Sequence, residues 1–323
     1  MRAIVTGSRS FIGAAVIECL RSDGVEVTAL RHSFEEEPEK LPGEADLWIH
    51  FAWAGQGPGG RVDGSIQTYN MEMSMAALRK ASELQVKRFV FAGSQAEYGP
   101  VRRKTAIAET ALCRPVSEYG KAKKAFGEFA GRWVMAFNED DDFGDHGSIC
   151  EDHSEAADKN PSGAEEACGL EPSGGRMSFL HLRIFSVYGG GDRKDSLISS
   201  AIDTFRRGEE MELSPCTQLW NYMYIKDAAR AIALVSLLPW DSFGECESLN
   251  IAGEDTRPLR SYIEELRELM GSSSKLSFGA RSFNTEGAAD LWPDTSKLRG
   301  LGFREEYSFS GGIKEMLDAV DKE

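Results

Sequence analysis

Tyr119 and Lys123, four residues apart, are the pair in this sequence best suited to moving a proton. On a helix that spacing sets both side chains on one face. A phenol titrates near pH ~10, too high for ready proton transfer at neutrality. An ammonium held beside it favours the phenolate and lowers that value. Ser94 offers a hydroxyl that can hydrogen-bond a carbonyl or alcohol oxygen. Brought together, the three would form a proton donor or acceptor beside a polarised C–O bond. A Tyr-x-x-x-Lys spacing alone arises by chance on many helices, so the surrounding elements must carry the reading.

Ser94 closes the apolar run 89–94, followed by Gln-Ala-Glu-Tyr-Gly99. That is how a buried strand reads when its carboxyl end opens onto a site. Pro115-Val-Ser-Glu-Tyr119-Gly-Lys-Ala-Lys123 reads as an amphipathic helix with Pro115 in its first turn. At the amino end, residues 2–6 form a buried strand, and Gly7-Ser-Arg-Ser-Phe-Ile-Gly13 turns into a helix with Ile12, Val16, Cys19 and Leu20 on its apolar face. Gly24 ends that helix as a left-handed cap, and 25–30 is a second strand.

A strand, a glycine turn and a helix in this order point to a dinucleotide site. Gly7 permits the tight turn, Gly13 lets helix and strand pack, and the helix amino terminus faces a pyrophosphate. Arg9, Ser10, Phe11 and Ile12 complete the loop, with Ser10 where a middle glycine is usual. An acid at the end of the second strand would take an adenosine ribose 2′-hydroxyl. This chain has Arg31 there, followed by His32, and Arg9 lies in the loop. Two guanidinium groups suit a 2′-phosphate, so the expected cofactor is NADP(H), with NAD(H) as the alternative.

Residues 46–54 read as another buried strand, with Phe51 and Ala52 toward its carboxyl end and His50 a structural, hydrogen-bonded histidine within the apolar run. A glycine-rich loop, 55–60, leads to a helix over about 62–84 carrying Asn70. Further strands are expected at 178–185, 218–225 and 248–252, and helices at 196–207 and 228–238. Thr256 caps a helix with Pro258 in its first turn, running to Met270. A short helix around Lys297 and a terminal helix after Gly312 finish the chain.

With 323 residues and 41% hydrophobic content the chain can bury a proper core. Its formal charge is −15, concentrated in 137–176, where twelve acidic residues face two basic ones. Neither part offers a basic stripe, so nucleic acid is not an expected partner. The stretch 137–176 reads as an inserted acidic loop. His146, Cys150, His153 and Cys168 within it have irregular spacing, and a solvated loop is the better reading than a zinc site, so no metal is expected. The six cysteines show no framework spacing and read as free thiols. No run is long and apolar enough for a membrane span and no leader precedes the first strand, so a cytoplasmic location without membrane association is expected.

Taken as a set, Thr6-Gly7-x5-Gly13, Asp46 with His50-Phe-Ala52, Asn70, Gly93-Ser94-Gln-Ala-Glu-Tyr-Gly99, Pro115 with Ser117, Tyr119-x3-Lys123, Arg183-Ile-Phe-Ser-Val-Tyr-Gly189, Asp227-Ala228 and Asn250 resemble the extended short-chain dehydrogenase/reductases, the NAD(P)-dependent sugar epimerase/dehydratase group. The resemblance covers nearly the whole chain except 137–176. It implies an α/β fold: a Rossmann-like, doubly wound parallel sheet over 1–182 and a smaller C-terminal α/β substrate lobe over 183–323, with about 219–252 returning to the first domain. It implies Tyr119 as acid/base, Lys123 on the nicotinamide ribose, Ser94 on the reacting oxygen, Asn70 close to the cofactor, and a nucleotide-activated sugar as substrate. The pyrophosphate of such a sugar needs cations, for which Arg193, Arg257 and Arg281 are candidates. A homodimer through helices at about 62–84 and 115–135 is a further family expectation.

Sugar 4,6-dehydratases of this group carry an Asp-Glu pair after the hydroxyl residue, where this chain has Gln95-Ala96. Many members also have asparagine where Ser186 stands. The Gly-Ser-Gln-Ala-Glu-Tyr-Gly version resembles a branch with 4-ketoreductases. The expected activity is reduction of a 4-keto-6-deoxy sugar. The alternatives are a 4-epimerase with tightly held NAD and a non-catalytic NADP sensor; sensors usually lack the tyrosine or lysine that this chain keeps.

Overall fold

The structure is a computed structural model describing residues 1–55, 57, 59–100, 105–143, 176–283 and 289–320. Its strands are β1 (Arg2–Thr6), β2 (Glu26–Leu30), β3 (Leu47–His50), β4 (Arg88–Ser94), β5 (Ser178–Ile184), β6 (Ser186–Tyr188), β7 (Met211–Leu213), β8 (Leu219–Tyr224), β9 (Cys246–Ile251), β10 (Thr256–Pro258) and β11 (Leu276–Phe278). Its helices are α1 (Phe11–Ser22), α2 (Gly64–Glu83), α3 (Glu118–Phe143), α4 (Leu197–Arg207), α5 (Ile225–Leu237), α6 (Leu259–Leu269), α7 (Ser296–Gly300) and α8 (Phe309–Val320).

Successive residues of a strand point to opposite faces, and the apolar residues here follow that rule. Ala3 and Val5 of β1 and Val90 and Ala92 of β4 pack with Val16 and Leu20 of α1 and Ile232 and Val235 of α5. Ile4, Phe89 and Phe91 pack on the other face, with Leu78 of α2 and Phe126 and Val134 of α3. A sheet with helices on both faces is buried on both, which is why its strands are nearly continuous apolar runs. The six strands are parallel in the order β2-β1-β3-β4-β5-β9. This is the Rossmann-like α/β arrangement. The strand order reverses at β1 and β3, and a crevice opens beyond their carboxyl ends.

The remaining strands and α4, α6 and α8 form a smaller lobe, with a three-stranded sheet β10-β8-β6 and the pair β11-β7. Its core is aromatic: Tyr262 meets Phe309 at 4.8 Å and Tyr222 at 5.1 Å between ring centroids.

Several elements differ from the sequence expectation: β3 ends at His50 rather than at 54, α5 starts at Ile225 rather than at 228, and β8 joins the small sheet, so only α5 and β9 of the stretch 219–252 return to the first domain. Pro115 precedes α3; Ser117 accepts the Gly120 N–H at 3.2 Å and caps the helix two residues later. The same helix runs on to Phe143, into the stretch read as a loop, because Trp133 stacks on Phe137 and Asn138 pairs with both backbone groups of Met177. Residues 144–175, with the zinc candidates His146, Cys150, His153 and Cys168, lie outside the described residues. Thr256–Pro258 is a strand paired antiparallel with β8, and the helix starts only at Leu259. The terminal helix starts before Gly312, at Phe309, and that glycine admits the Tyr188 hydroxyl, which donates to Phe309 O at 3.0 Å.

Two buried polar groups tie the layers together. Arg88 donates to Leu238 O at 2.7 Å, Pro239 O at 2.9 Å and Ser236 O at 3.2 Å, satisfying carbonyls left over at the carboxyl end of α5. Burial pushes its pKa down to about 10. His50 is the structural histidine expected: Nδ1 lies 2.7 Å from Thr6 Oγ1 and Nε2 3.0 Å from Ser74 Oγ. Burial, with the Lys123 charge second, pushes its pKa down to about 3.

Arg88→Met should destabilise the fold by roughly 3 kcal/mol or more in urea denaturation, because the carbonyls it serves would be left buried. His50 binds its proton near pH ~6.5 when unfolded. Its folded value is about 3, so over the interval between the two the unfolded state holds more protons. Stability should therefore fall as pH drops below about 6.5, and His50→Gln should flatten that part of the profile when denaturation is followed between pH ~7 and ~5.

Candidate functional site

Lys123 is buried, and its ammonium donates to Ala92 O of β4 at 2.6 Å. It sits 3.7 Å over the Trp53 ring and 4.7 Å over Phe91. Burial holds its pKa well below the usual ammonium range, with Glu97 pulling the other way. Tyr119, one helical turn earlier on α3, has its ring 5.8 Å from the same ammonium and edge-on to Trp53 at 6.3 Å. The pair therefore meets two strand ends at once, β4 through Ala92 and the segment after β3 through Trp53.

Ser94 arrives from the carboxyl end of β4, and its Oγ accepts the Ala96 N–H at 3.2 Å. Glu97 accepts the Ser94 N–H at 2.8 Å, closing a capping box over a single turn. Beneath it, His181 Nε2 lies 3.0 Å from Glu97 Oε1, and Arg183 Nε lies 3.3 Å from Oε2. Burial would raise the Glu97 carboxyl, but His181, Arg183 and the Ser94 amide outweigh it and hold it below its ordinary value. A carboxylate can only accept, so the His181 proton is on Nε2. Arg183 also donates to Tyr98 Oη at 3.1 Å, and that hydroxyl donates to Asn250 Oδ1 at 2.6 Å. A Cβ on Gly120 would lie 2.7 Å from Ala96 O, so this glycine is what lets α3 bring Tyr119 up against the Ser94 turn.

The glycine loop fits a dinucleotide cradle. Gly7 has a positive φ of 72°, and a Cβ there would lie 2.6 Å from Ala52 N and 2.7 Å from Phe51 C. Gly13 likewise has Gly7 O 2.5 Å from where a Cβ would be. Ser10 caps α1 through the Gly13 N–H at 3.1 Å, so the serine at the middle-glycine place supplies a cap. Ser10, Phe11, Ile12 and Phe51 line the same cleft, of about 1170 Å³, as Ser94, Tyr119 and Lys123. Gly7, Gly13 and Ala52 are not among the residues that line it. Arg9 and Arg31 are exposed, at the loop and at the end of β2. Glu37 Oε2 accepts the Arg31 N–H at 2.7 Å, and the bonds from Lys40 and from that amide hold its carboxyl below the usual range.

Asn70 is not on the cleft. It is fully buried, and its side-chain amide pairs with both the N–H and the carbonyl of Ala54, at 2.8 Å and 2.9 Å. It clamps the loop after β3. Arg257 is also absent from the cleft lining; it pairs with Asp255 at 3.0 Å and with Glu265, and lies 4.1 Å over the Tyr262 ring. Arg193 and Arg281 do line the cleft, paired with Asp195 at 3.2 Å and Glu212 at 3.6 Å. Two cleft atoms, Gln95 Oε1 and Gln218 Oε1, are buried without a hydrogen-bond partner among the described residues. Among the described residues no cluster of His, Cys, Asp or Glu could hold a metal ion, and no helix is long and apolar enough to cross a membrane.

Sequence reasoning gave no role to Trp53, Glu97 or Arg61. Glu97 had a readable signal, the Ser-x-x-Glu spacing of a capping box. Trp53 follows Phe51-Ala52 directly, but a tryptophan in an apolar run looks like any core residue. Arg61 lies 4.4 Å over the Tyr119 ring, a contact that nothing local announces.

Comparison with known proteins agrees with this architecture. CDP-abequose synthase of Salmonella muenchen is 26% identical over 141 residues, 44% of this chain and 47% of that protein. The chain thus spans about half the length of the curated relatives it matches. Thermotoga maritima UDP-glucose 4-epimerase, solved with UDP-glucose, matches with TM-score 0.76 at 18% identity, covering 100% of this chain and 99% of that one. Thermus thermophilus UDP-glucose 4-epimerase, solved with NAD, gives 0.75 at 18% identity over 99% of each. At these identities the structural likeness is one of fold. The model of the NAD dependent epimerase/dehydratase family matches residues 3–139 and 164–252, most of the sequence, and the chain belongs to that family.

Proposed function

We propose that this protein is an NADP(H)-dependent reductase of a nucleotide-linked 4-keto-6-deoxy sugar. The observation that carries the reading is the single cleft shared by the α1 amino terminus and by Ser94, Tyr119 and Lys123. A bound nicotinamide cofactor supplies the hydride. Ser94 holds the ketone oxygen, and Tyr119 gives it the proton. Lys123, fixed by Ala92 O, stabilises the phenolate left behind. The unpartnered oxygens of Gln95 and Gln218 suit a ligand rich in hydroxyls, and Arg193 and Arg281 suit its pyrophosphate. The curated relatives named for CDP-abequose synthesis support a nucleotide sugar as the substrate class. Water elimination is disfavoured because Gln95 donates to Ser186 Oγ at 3.2 Å, and neither it nor Ala96 can serve as the acid or base.

NADP(H) is favoured by Arg9 and Arg31, with Glu37 as the opposing charge at the Arg31 amide. A 2′-phosphate would gain from the first two and be repelled by the third.

Nucleotide sugars should be screened for cofactor oxidation or reduction at about 340 nm, where reduced nicotinamide absorbs. The expected result is NADPH consumption with a keto sugar. Turnover with no net consumption and an NAD that survives purification would make the protein a 4-epimerase. Tyr119→Phe should lower kcat by roughly 10²-fold or more while leaving the cofactor Kd unchanged. Near-normal turnover would remove Tyr119 from the mechanism. Arg31→Ala should weaken NADPH by about tenfold and NADH little, and Glu37→Gln should tighten NADPH, both read as Kd from cofactor fluorescence.

A further inference from the structure

The glycine loop after β3 does more than close a turn. Gly55 has a positive φ of 70°, and Gly60 packs so closely on Gly55 that a Cβ would overlap its backbone. The loop is folded back and pinned: Gly60 O accepts Gln67 Nε2 at 2.8 Å, and Gln67 Oε1 accepts Trp53 Nε1 at 2.9 Å. From the turn Gly60–Val62 this sends the Arg61 side chain into the cleft. Its guanidinium carbon lies 4.4 Å from the centroid of the Tyr119 ring, nearer than the Lys123 ammonium at 5.8 Å.

We propose that Arg61 is a positioning residue for Tyr119, a second cation stacked on the phenol that favours the phenolate and fixes the ring's orientation. This rests on the reading of Tyr119 as the proton-transfer residue. An opposite charge within about 4–6 Å is close enough to favour the ionised form of a phenol. Among the described residues, Lys123 from its own helix and Arg61 from the loop are charged groups that lie over the ring. Glu97, from the turn after β4, bears on Lys123, and His50 behind it is held neutral. Burial favours loss of the Lys123 proton, whereas a guanidinium stays protonated throughout. Arg61 thus keeps a positive charge on the phenol in states where Lys123 has given up its own.

The test is a pH titration of the tyrosines labelled with carbon-13 at Cζ, read by NMR in the purified full chain. Tyr119→Phe assigns the Tyr119 signal. Arg61→Gln should raise the Tyr119 midpoint by about one pH unit, and Arg61→Lys, which keeps the charge, should restore most of it. Arg61→Met serves as a second neutral variant. In the reductase assay the limb of kcat set by Tyr119 should move up by the same amount. An unchanged midpoint in both neutral variants would overturn the proposal, and so would a rise in substrate KM with no movement of midpoint or limb. Absence of turnover on every nucleotide sugar would sink the reductase reading instead, and the NMR midpoints would still decide Arg61.

Discussion

A primary ammonium buried at 3% exposure is the constraint that organises the carboxyl edge of the main sheet. Taking an ammonium out of water costs several kcal/mol even after relaxation, so it survives only where its surroundings replace the lost water. Lys123 finds a carbonyl on β4, the faces of Trp53 and Phe91, and the distant charge of Glu97. These partners come from two neighbouring strand ends, while the lysine comes from α3. The compensation can be made only if helix and strands keep one relative position. Because Tyr119 shares the helix face with Lys123, the same constraint places the phenol.

Ser94 is fixed from the other side by different physics. Its backbone N–H is gripped by the Glu97 carboxylate, and Glu97 is held ionised by His181 and Arg183. That network lies behind the site and reaches Asn250 of β9 through Tyr98. One set of interactions therefore faces the cleft and another backs it. They meet where Gly120 lets α3 touch the turn after Ser94. Small residues decide the approach here, as Gly7 and Gly13 do at the opposite end of the cleft.

Much of this was legible because it depends on local spacing. The strand-glycine-helix opening, the Tyr119–Lys123 pair and the alternation of apolar residues are short-range patterns, and Rossmann-like topology follows from their order. What was not legible depends on partners far away in sequence. Asn70 clamps Ala54, and Arg257 belongs to Glu265 and Tyr262; both residues are polar and plausible ligands until their partners are known. Pro258 ends a strand because β8 lies alongside to pair with it. Phe137 to Asn138 stay helical because Trp133 and Met177 are there to receive them. Arg61 reaches Tyr119 only because a loop of glycines folds back, a geometry that composition alone leaves open.

The path of the chain between its two sheets has a mechanical consequence. It leaves the large sheet after β5, returns through α5 to supply β9, and departs again at once for β10. The lobes are stitched together by several crossings rather than hung on one linker. Asn221 of β8 sews the last of these seams, holding Gly253, Asp255 and Thr256. Any movement of one lobe against the other must be shared by all of these connecting segments. No single cut in the chain would release either half as an intact body.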